Sequence, residues 1–196
     1  MTKIYFRYSY IYEETLARLA GENFTLADFD KTQKFCEEFS KYWEQYGDKM
    51  FDYYKNLGLT LPEFWIAYPV HSRKGMVPFS DPLTIFINDD FEEVTAVLVH
   101  ELCHVFLTTA ENEKLSNDLW QNVSKKYPAE NFNTISHLLV NLLAKGGLEH
   151  LFGNEISKRL LAPERSMNGL KEAWAIIDTK PSLLEIPNPI EAIRNL

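Results

Sequence analysis

Residues His100-Glu101-Leu102-Cys103-His104 hold two imidazoles and one carboxylate in an H-E-x-x-H pattern. In a helix, two histidines four positions apart lie about 40° apart round the axis, so both rings reach one metal ion from the same face. Glu101 stands about 100° further round from His100, within reach of a water on that metal without being a ligand. A Zn²⁺ ion held in this way acts as a Lewis acid and lowers the pKa of its water, and a neighbouring glutamate takes the proton. The chemistry suited to these residue types at this spacing is hydrolysis of an amide bond.

The setting fits such a site. From Val97 to Phe106 the only charge is Glu101, and the flanks are apolar and β-branched, as in a helix buried almost all round. Burying a carboxylate and two imidazoles is costly unless they pair or bind metal, and such groups concentrate at functional sites. The plainer alternative is a buried helix whose histidines only hydrogen-bond within the core. Asp89 or Asp90 is expected to cap this helix, with Glu92 or Glu93 completing a capping box. An acidic first turn also suits the helix dipole.

The ten residues Val97 to Phe106 resemble the zinc-binding consensus of the zincin metallopeptidases. The resemblance implies that His100 and His104 are zinc ligands and Glu101 the general base. It covers one helix closely and the rest of the chain by architecture. The metzincin pattern places Gly at position 107 and His or Asp at 110. Leu107 and Ala110 stand there, which disfavours that subgroup. The gluzincin-like pattern takes its third ligand from a second helix.

Phe132 to Lys145 predicts such a helix, with Ile135, Leu138, Leu139, Leu142 and Leu143 at 3- and 4-residue spacing. Asn131 or Asn133 can cap its start, and Gly146-Gly147 is expected to end it. His137 in its first half is the expected third ligand. Asn141, one turn later on the same face, can orient a ligand or bind substrate. Ser136 to Asn141 also resembles the second-helix pattern of small zincin-like proteins. Glu149 and His150 are the main rivals for the third position, followed by Glu111, Glu113, Glu130 and Glu155.

The implied reaction is peptide hydrolysis, with Zn²⁺ the cofactor and a peptide or protein the substrate. An oxyanion donor besides the metal is needed, and Arg165, Tyr127, His150 and His71 are candidates. Glu172-Ala173-Trp174 resembles the closing helix of the same small proteins, but no tyrosine stands in the turn before it, Ser166 to Leu170. That departure keeps open a second reading: a zincin-like zinc-binding module without peptidase activity, acting in regulation or partner binding. The intact Glu101 argues against it, because a pure binding site has no use for a base there.

At 196 residues, one domain spanning 1–196 is expected, with 181–196, which contains Pro181, Pro187 and Pro189, as an irregular tail. The apolar fraction of 45% and aromatic fraction of 14% suffice for a core. A formal net charge of −8 argues against nucleic acid or an anionic membrane as partner, since both require a basic face. The N-terminus lacks the apolar core and cleavage site of a secretory signal, and no stretch approaches a membrane span. The expected location is cytoplasmic. Cys36 and Cys103 read as reduced, buried thiols. Oligomeric state is not legible.

The order of elements predicts an α+β, zincin-like fold: a small sheet packed on an active-site helix, then a mostly helical C-terminal half. Ile4 to Tyr10, Phe64 to Tyr68 and Leu83 to Asn88 read as strands. Asp28 to Tyr54 reads as one long helix, with Phe35, Phe39, Tyr42, Trp43, Tyr46, Met50 and Tyr53 as its core stripe. A connecting helix is marked by Leu115, Leu119, Val123 and Tyr127, and further helices by 154–161 and 164–178. Either of the two later strands could line the cleft and pair with an extended peptide substrate.

Overall fold

The computed structural model describes residues 2–196. Among these the chain is α+β and mostly helical, with nine α-helices and one four-stranded mixed sheet. It forms two compact units. The first is the chain up to Phe51 with Pro62–Leu102; the second is Asp52–Leu61 with Cys103–Leu196.

The first unit carries the sheet. Its strands are β1 (Lys3–Phe6), β2 (Phe64–Val70), β3 (Phe79–Ser80) and β4 (Leu83–Phe86), in the order β1-β2-β4-β3. The β1–β2 and β2–β4 pairs are parallel, with Ile4 opposite Trp65 and Pro69 opposite Ile85, while β3 runs antiparallel to β4. The two strands expected to receive a peptide at an exposed edge correspond to β2 and β4, and both are interior. The edges are β1 and the two-residue β3.

Chain expected to be strand up to Tyr10 turns instead into α1 (Tyr10–Leu19), whose buried face is Glu13, Leu16 and Ala17. The β-forming tyrosines and isoleucine at its start concealed this 3–4 periodicity. The single helix expected over 28–54 is two, α2 (Leu26–Trp43) and α3 (Gly47–Asn56). A Cβ at Gly47 would stand 2.7 Å from the Trp43 indole nitrogen, so only glycine fits where the chain turns back on that ring. Thr25 starts α2 with a reciprocal capping box: its hydroxyl accepts from Asp28 N–H, and the Asp28 carboxylate accepts from Thr25 N–H at 2.9 Å.

The α2 stripe sets the start of the helix that carries the H-E-x-x-H run. Phe39 meets Phe6 of β1 edge-on at 4.8 Å. Phe35, Phe39 and Tyr42 surround Phe91 at centroid distances of 5.6, 5.4 and 5.3 Å. Phe91 is the first residue of α4 (Phe91–Thr108), so edge-to-face aromatic packing fixes where that helix begins.

The second unit is built round α6 (Phe132–Phe152), against which α5 (Glu113–Lys126), α7 (Asn154–Leu161), α8 (Lys171–Asp178) and α9 (Pro189–Asn195) pack. Gly146 and Gly147 do not end α6; they lie inside it. A Cβ on Gly146 would overlap the Tyr53 hydroxyl, and one on Gly147 the Tyr54 hydroxyl. The pair is a groove for two tyrosines rather than a stop signal. The true stop is Gly153, at φ +82°.

The helix expected over 164–178 starts only at Lys171, after a 3₁₀ turn at Pro163–Ser166 and Gly169 at φ +89°. Residues 181–196, expected to be irregular, form a 3₁₀ turn (Pro181–Glu185) and α9. The Asn188 side chain accepts from Ile190 N–H at 2.9 Å, and Pro189 opens the helix. Ile190, Ile193 and Leu196 are buried. Here the prolines are helix starters, not breakers. No single helix among the described residues is long and apolar enough to cross a membrane.

Candidate metal centre

Both ends of α4 are held by side chains. At the N-terminus Asp90 Oδ1 accepts from the N–H groups of Glu92 at 2.9 Å and Glu93 at 3.2 Å, and those two glutamates occupy the first turn. Acceptors here satisfy donors that have no partner within the helix. At the C-terminus the buried Asn112 donates to the Phe106 carbonyl at 2.9 Å, while exchanging two hydrogen bonds with the backbone of Thr60. Helix ends anchored in this way fix the rotation of α4, and with it the direction of His100 and His104.

The middle of α4 is buried: Leu98, Val99, Leu102, Cys103 and Phe106 are inaccessible to solvent. His100 is 6% and Glu101 8% exposed. Cys103 forms no disulfide and lies 3.3 Å from the hydroxyl of Tyr54, which donates to the Leu143 carbonyl at 3.0 Å. Burial, then the neighbouring thiol, raises the Tyr54 pKa well above the usual phenol value, so this hydroxyl remains a donor.

The first turn of α6 is set by Asn131, whose Oδ1 accepts from Thr134 N–H at 3.0 Å. One turn on, His137 Nδ1 bonds the Asn133 carbonyl at 2.9 Å. A carbonyl only accepts, so the proton sits on Nδ1 and the lone pair on Nε2. Histidines that ligate metals are oriented by this kind of second hydrogen bond. The rings of His104 and His137 meet edge to face, 5.0 Å between centroids and 84° between planes.

One ligand atom each from His100, His104 and His137 all lie within 4.8 Å of one another. Zn–N bonds are about 2.0–2.1 Å long, so a tetrahedral ion would hold its nitrogens about 3.4 Å apart, a distance that small side-chain rotations can reach. Three imidazoles, one of them oriented through Nδ1, are a donor set that fits a divalent transition ion. Asn141, one turn beyond His137 and fully buried, is satisfied when its Nδ2 donates to the His137 carbonyl at 3.2 Å and its Oδ1 shares, at 3.1 Å, the Trp174 indole N–H that also reaches Glu164 at 3.1 Å. It ties the backbone of the ligand-bearing turn to α8.

The rivals are engaged otherwise. Glu149 pairs with Lys145 at 2.6 Å, and His150 stacks on Tyr53 at 4.7 Å. Of the candidate oxyanion donors, Tyr127 bonds Lys180 and the Leu196 carbonyl. Arg165 pairs with Asp178 and lies over the Trp174 ring at 4.3 Å. His71 bonds Glu13 at 2.5 Å. Sequence reasoning did not single out Trp174 as a partner of Asn141. The two are far apart in the chain, and only the burial pattern of α8 hints at it. No protein-family model, no curated protein and no solved structure matches this chain.

Proposed function

We propose that this chain is a zinc-dependent metallopeptidase, zincin-type and gluzincin-like in drawing its third ligand from a second helix. The observation that carries the reading is the convergence of His100, His104 and His137, with Glu101 next to the first of them in the sequence. Zinc, when bound, supplies Lewis acidity and a water of lowered pKa.

The chain's own residues do the rest. The Asn133 carbonyl keeps the His137 proton on Nδ1, so that Nε2 faces its task as a ligand. Glu101 is buried, 8% exposed, beside the first of the three histidines. Glu101 would accept the proton of the attacking water and return it to the leaving amine, the usual two roles of one general base and acid. The substrate would be a peptide or protein. A zinc-binding module without peptidase activity is the competing outcome.

The test compares zinc-loaded protein with its Glu101→Gln variant on a broad peptide library. Cleavage that disappears in the variant while zinc content is unchanged supports the peptidase. Zinc bound by both and cleavage by neither supports the module.

A further inference from the structure

Two asparagines flank His137 on α6, Asn133 one turn before it and Asn141 one turn after. Residues four apart on a helix lie about 40° apart round the axis, so the three form one stripe. Both asparagines are tied to the same stretch of chain, Gly169 to Trp174, which runs into α8. Asn133 Nδ2 donates to the Gly169 carbonyl at 2.8 Å, while the Asn133 backbone carbonyl accepts from His137 Nδ1 at 2.9 Å. Asn141 Oδ1 accepts from Trp174 Nε1, while Asn141 Nδ2 donates to the His137 carbonyl. Each asparagine thus bonds His137 with one group and the 169–174 stretch with another.

That stretch is itself held. Trp174 is 1% exposed, and its indole N–H is shared between Asn141 Oδ1 and Glu164 Oε2 at 3.1 Å each. The Arg165 guanidinium covers the ring at 4.3 Å and pairs with Asp178. Glu164 and Arg165 belong to the 3₁₀ turn Pro163–Ser166, so one short turn grips both the edge and the face of the indole. Gly169 has a φ of +89°, and a Cβ there would stand 3.1 Å from Asn133 Nδ2, so this close approach to α6 needs glycine.

Packing alone does not call for Asn141. Beyond the first turn, the other buried positions of α6 are leucine, valine, alanine or glycine. A leucine in its place would fill the space without the cost of desolvating an amide. The Trp174 N–H does not require it either, because Glu164 is a second acceptor. What the amide adds is a bond to the turn that carries His137.

We propose that the Gly169–Trp174 stretch positions the third metal ligand: through Asn133 and Asn141 it fixes the turn of α6 that presents His137, with Trp174 as its anchor. This rests on the reading of His100, His104 and His137 as a zinc centre. Asn133, Asn141 and Trp174 are positioning residues, which act through His137 and do not touch the metal. A Zn–N bond of about 2.0–2.1 Å leaves little room for a ligand-bearing turn to shift, so its supports are felt in metal affinity.

The experiment measures metal binding by the full chain in the parent protein and in His137→Ala, Trp174→Phe, Asn141→Leu and Asn188→Ala. Zinc affinity is read by competition with a chromogenic chelator, and site geometry from the visible absorption of the Co²⁺-loaded protein. Trp174→Phe keeps an aromatic ring and removes the N–H. Asn141→Leu keeps the volume and removes both bonds. Asn188→Ala removes the cap of α9 and controls for a general loss of stability. The expected result is a zinc affinity lower by roughly three- to tenfold in Trp174→Phe and Asn141→Leu, less than the 10–100-fold of a partner bonded directly to a ligand ring. The Co²⁺ bands should shift in the same two variants. Asn188→Ala should lower the denaturation midpoint and leave affinity and bands unchanged. Trp174→Phe serves where Asn141→Leu fails to fold. Parent-like affinity and bands in both variants, or equal changes in Asn188→Ala, overturn the positioning role and leave the zinc centre standing. A parent protein that binds neither metal, or His137→Ala binding both as the parent does, overturns the reading of the site and this proposal with it.

Discussion

The two histidine clusters use the same ring in opposite ways. At the metal centre three imidazoles converge, and the one whose hydrogen bond is defined, His137, gives its Nδ1 proton to a neutral backbone carbonyl. That partner orients the ring through Nδ1, as the second hydrogen bond of a metal-ligating histidine does. At the α1–α2 cluster a single imidazole sits between two carboxylates, 2.5 Å from Glu13 and 3.8 Å from Asp28. The two half-buried rings thus differ in their partners, a backbone carbonyl at His137 and carboxylates at His71.

The largest effect that could break this contrast is on catalysis. Glu101→Gln removes the base and keeps the shape, and should lower kcat/KM for peptide cleavage by about 10²–10⁴-fold with metal content unchanged. A variant that still cleaves at the parent rate would assign the proton transfer to another group. Next comes the helix that carries His137. Gly147→Ala forces a Cβ against the Tyr54 hydroxyl in a fully buried contact and should cost about 1–3 kcal/mol in chemical denaturation. Because the strain lies on α6, metal affinity should fall with it. The smallest effect is at the α6 cap: Asn131→Ala should cost about 1 kcal/mol, read as a lowered denaturation midpoint. The contrast is sharpened if both α6 variants weaken metal binding and neither alters amide exchange at residues 71–76.

Helix α4 was legible because its signals are local. The H-E-x-x-H spacing, the uncharged flanks and the Asp90 cap all lie within one short stretch of chain. The α6 stripe and its Asn131 cap were local as well, and His137 could be placed on that helix without knowing its surroundings. What the sequence hid depends on contacts between distant positions. Gly146-Gly147 looks like a helix end until Tyr53 and Tyr54 are seen to occupy the space a side chain would need. Gly47 is similar, since the break between α2 and α3 is explained by the Trp43 ring. The C-terminal segment read as an irregular tail because the burial of Pro189, Ile190 and Ile193 is invisible in composition. Glu13 gave no signal at all: it sits in a stretch of β-forming residues, and its partners His71 and Arg73 lie 58 residues or more away along the chain.

The central claim is that His100, His104 and His137 hold one divalent ion. Its most direct test is the metal content of the purified, tag-free protein beside His104→Ala and His137→Ala. The account predicts about one zinc per chain in the parent protein and loss of it in both variants. Zinc retained in His137→Ala, or no zinc in the parent protein even after zinc is added, would contradict it.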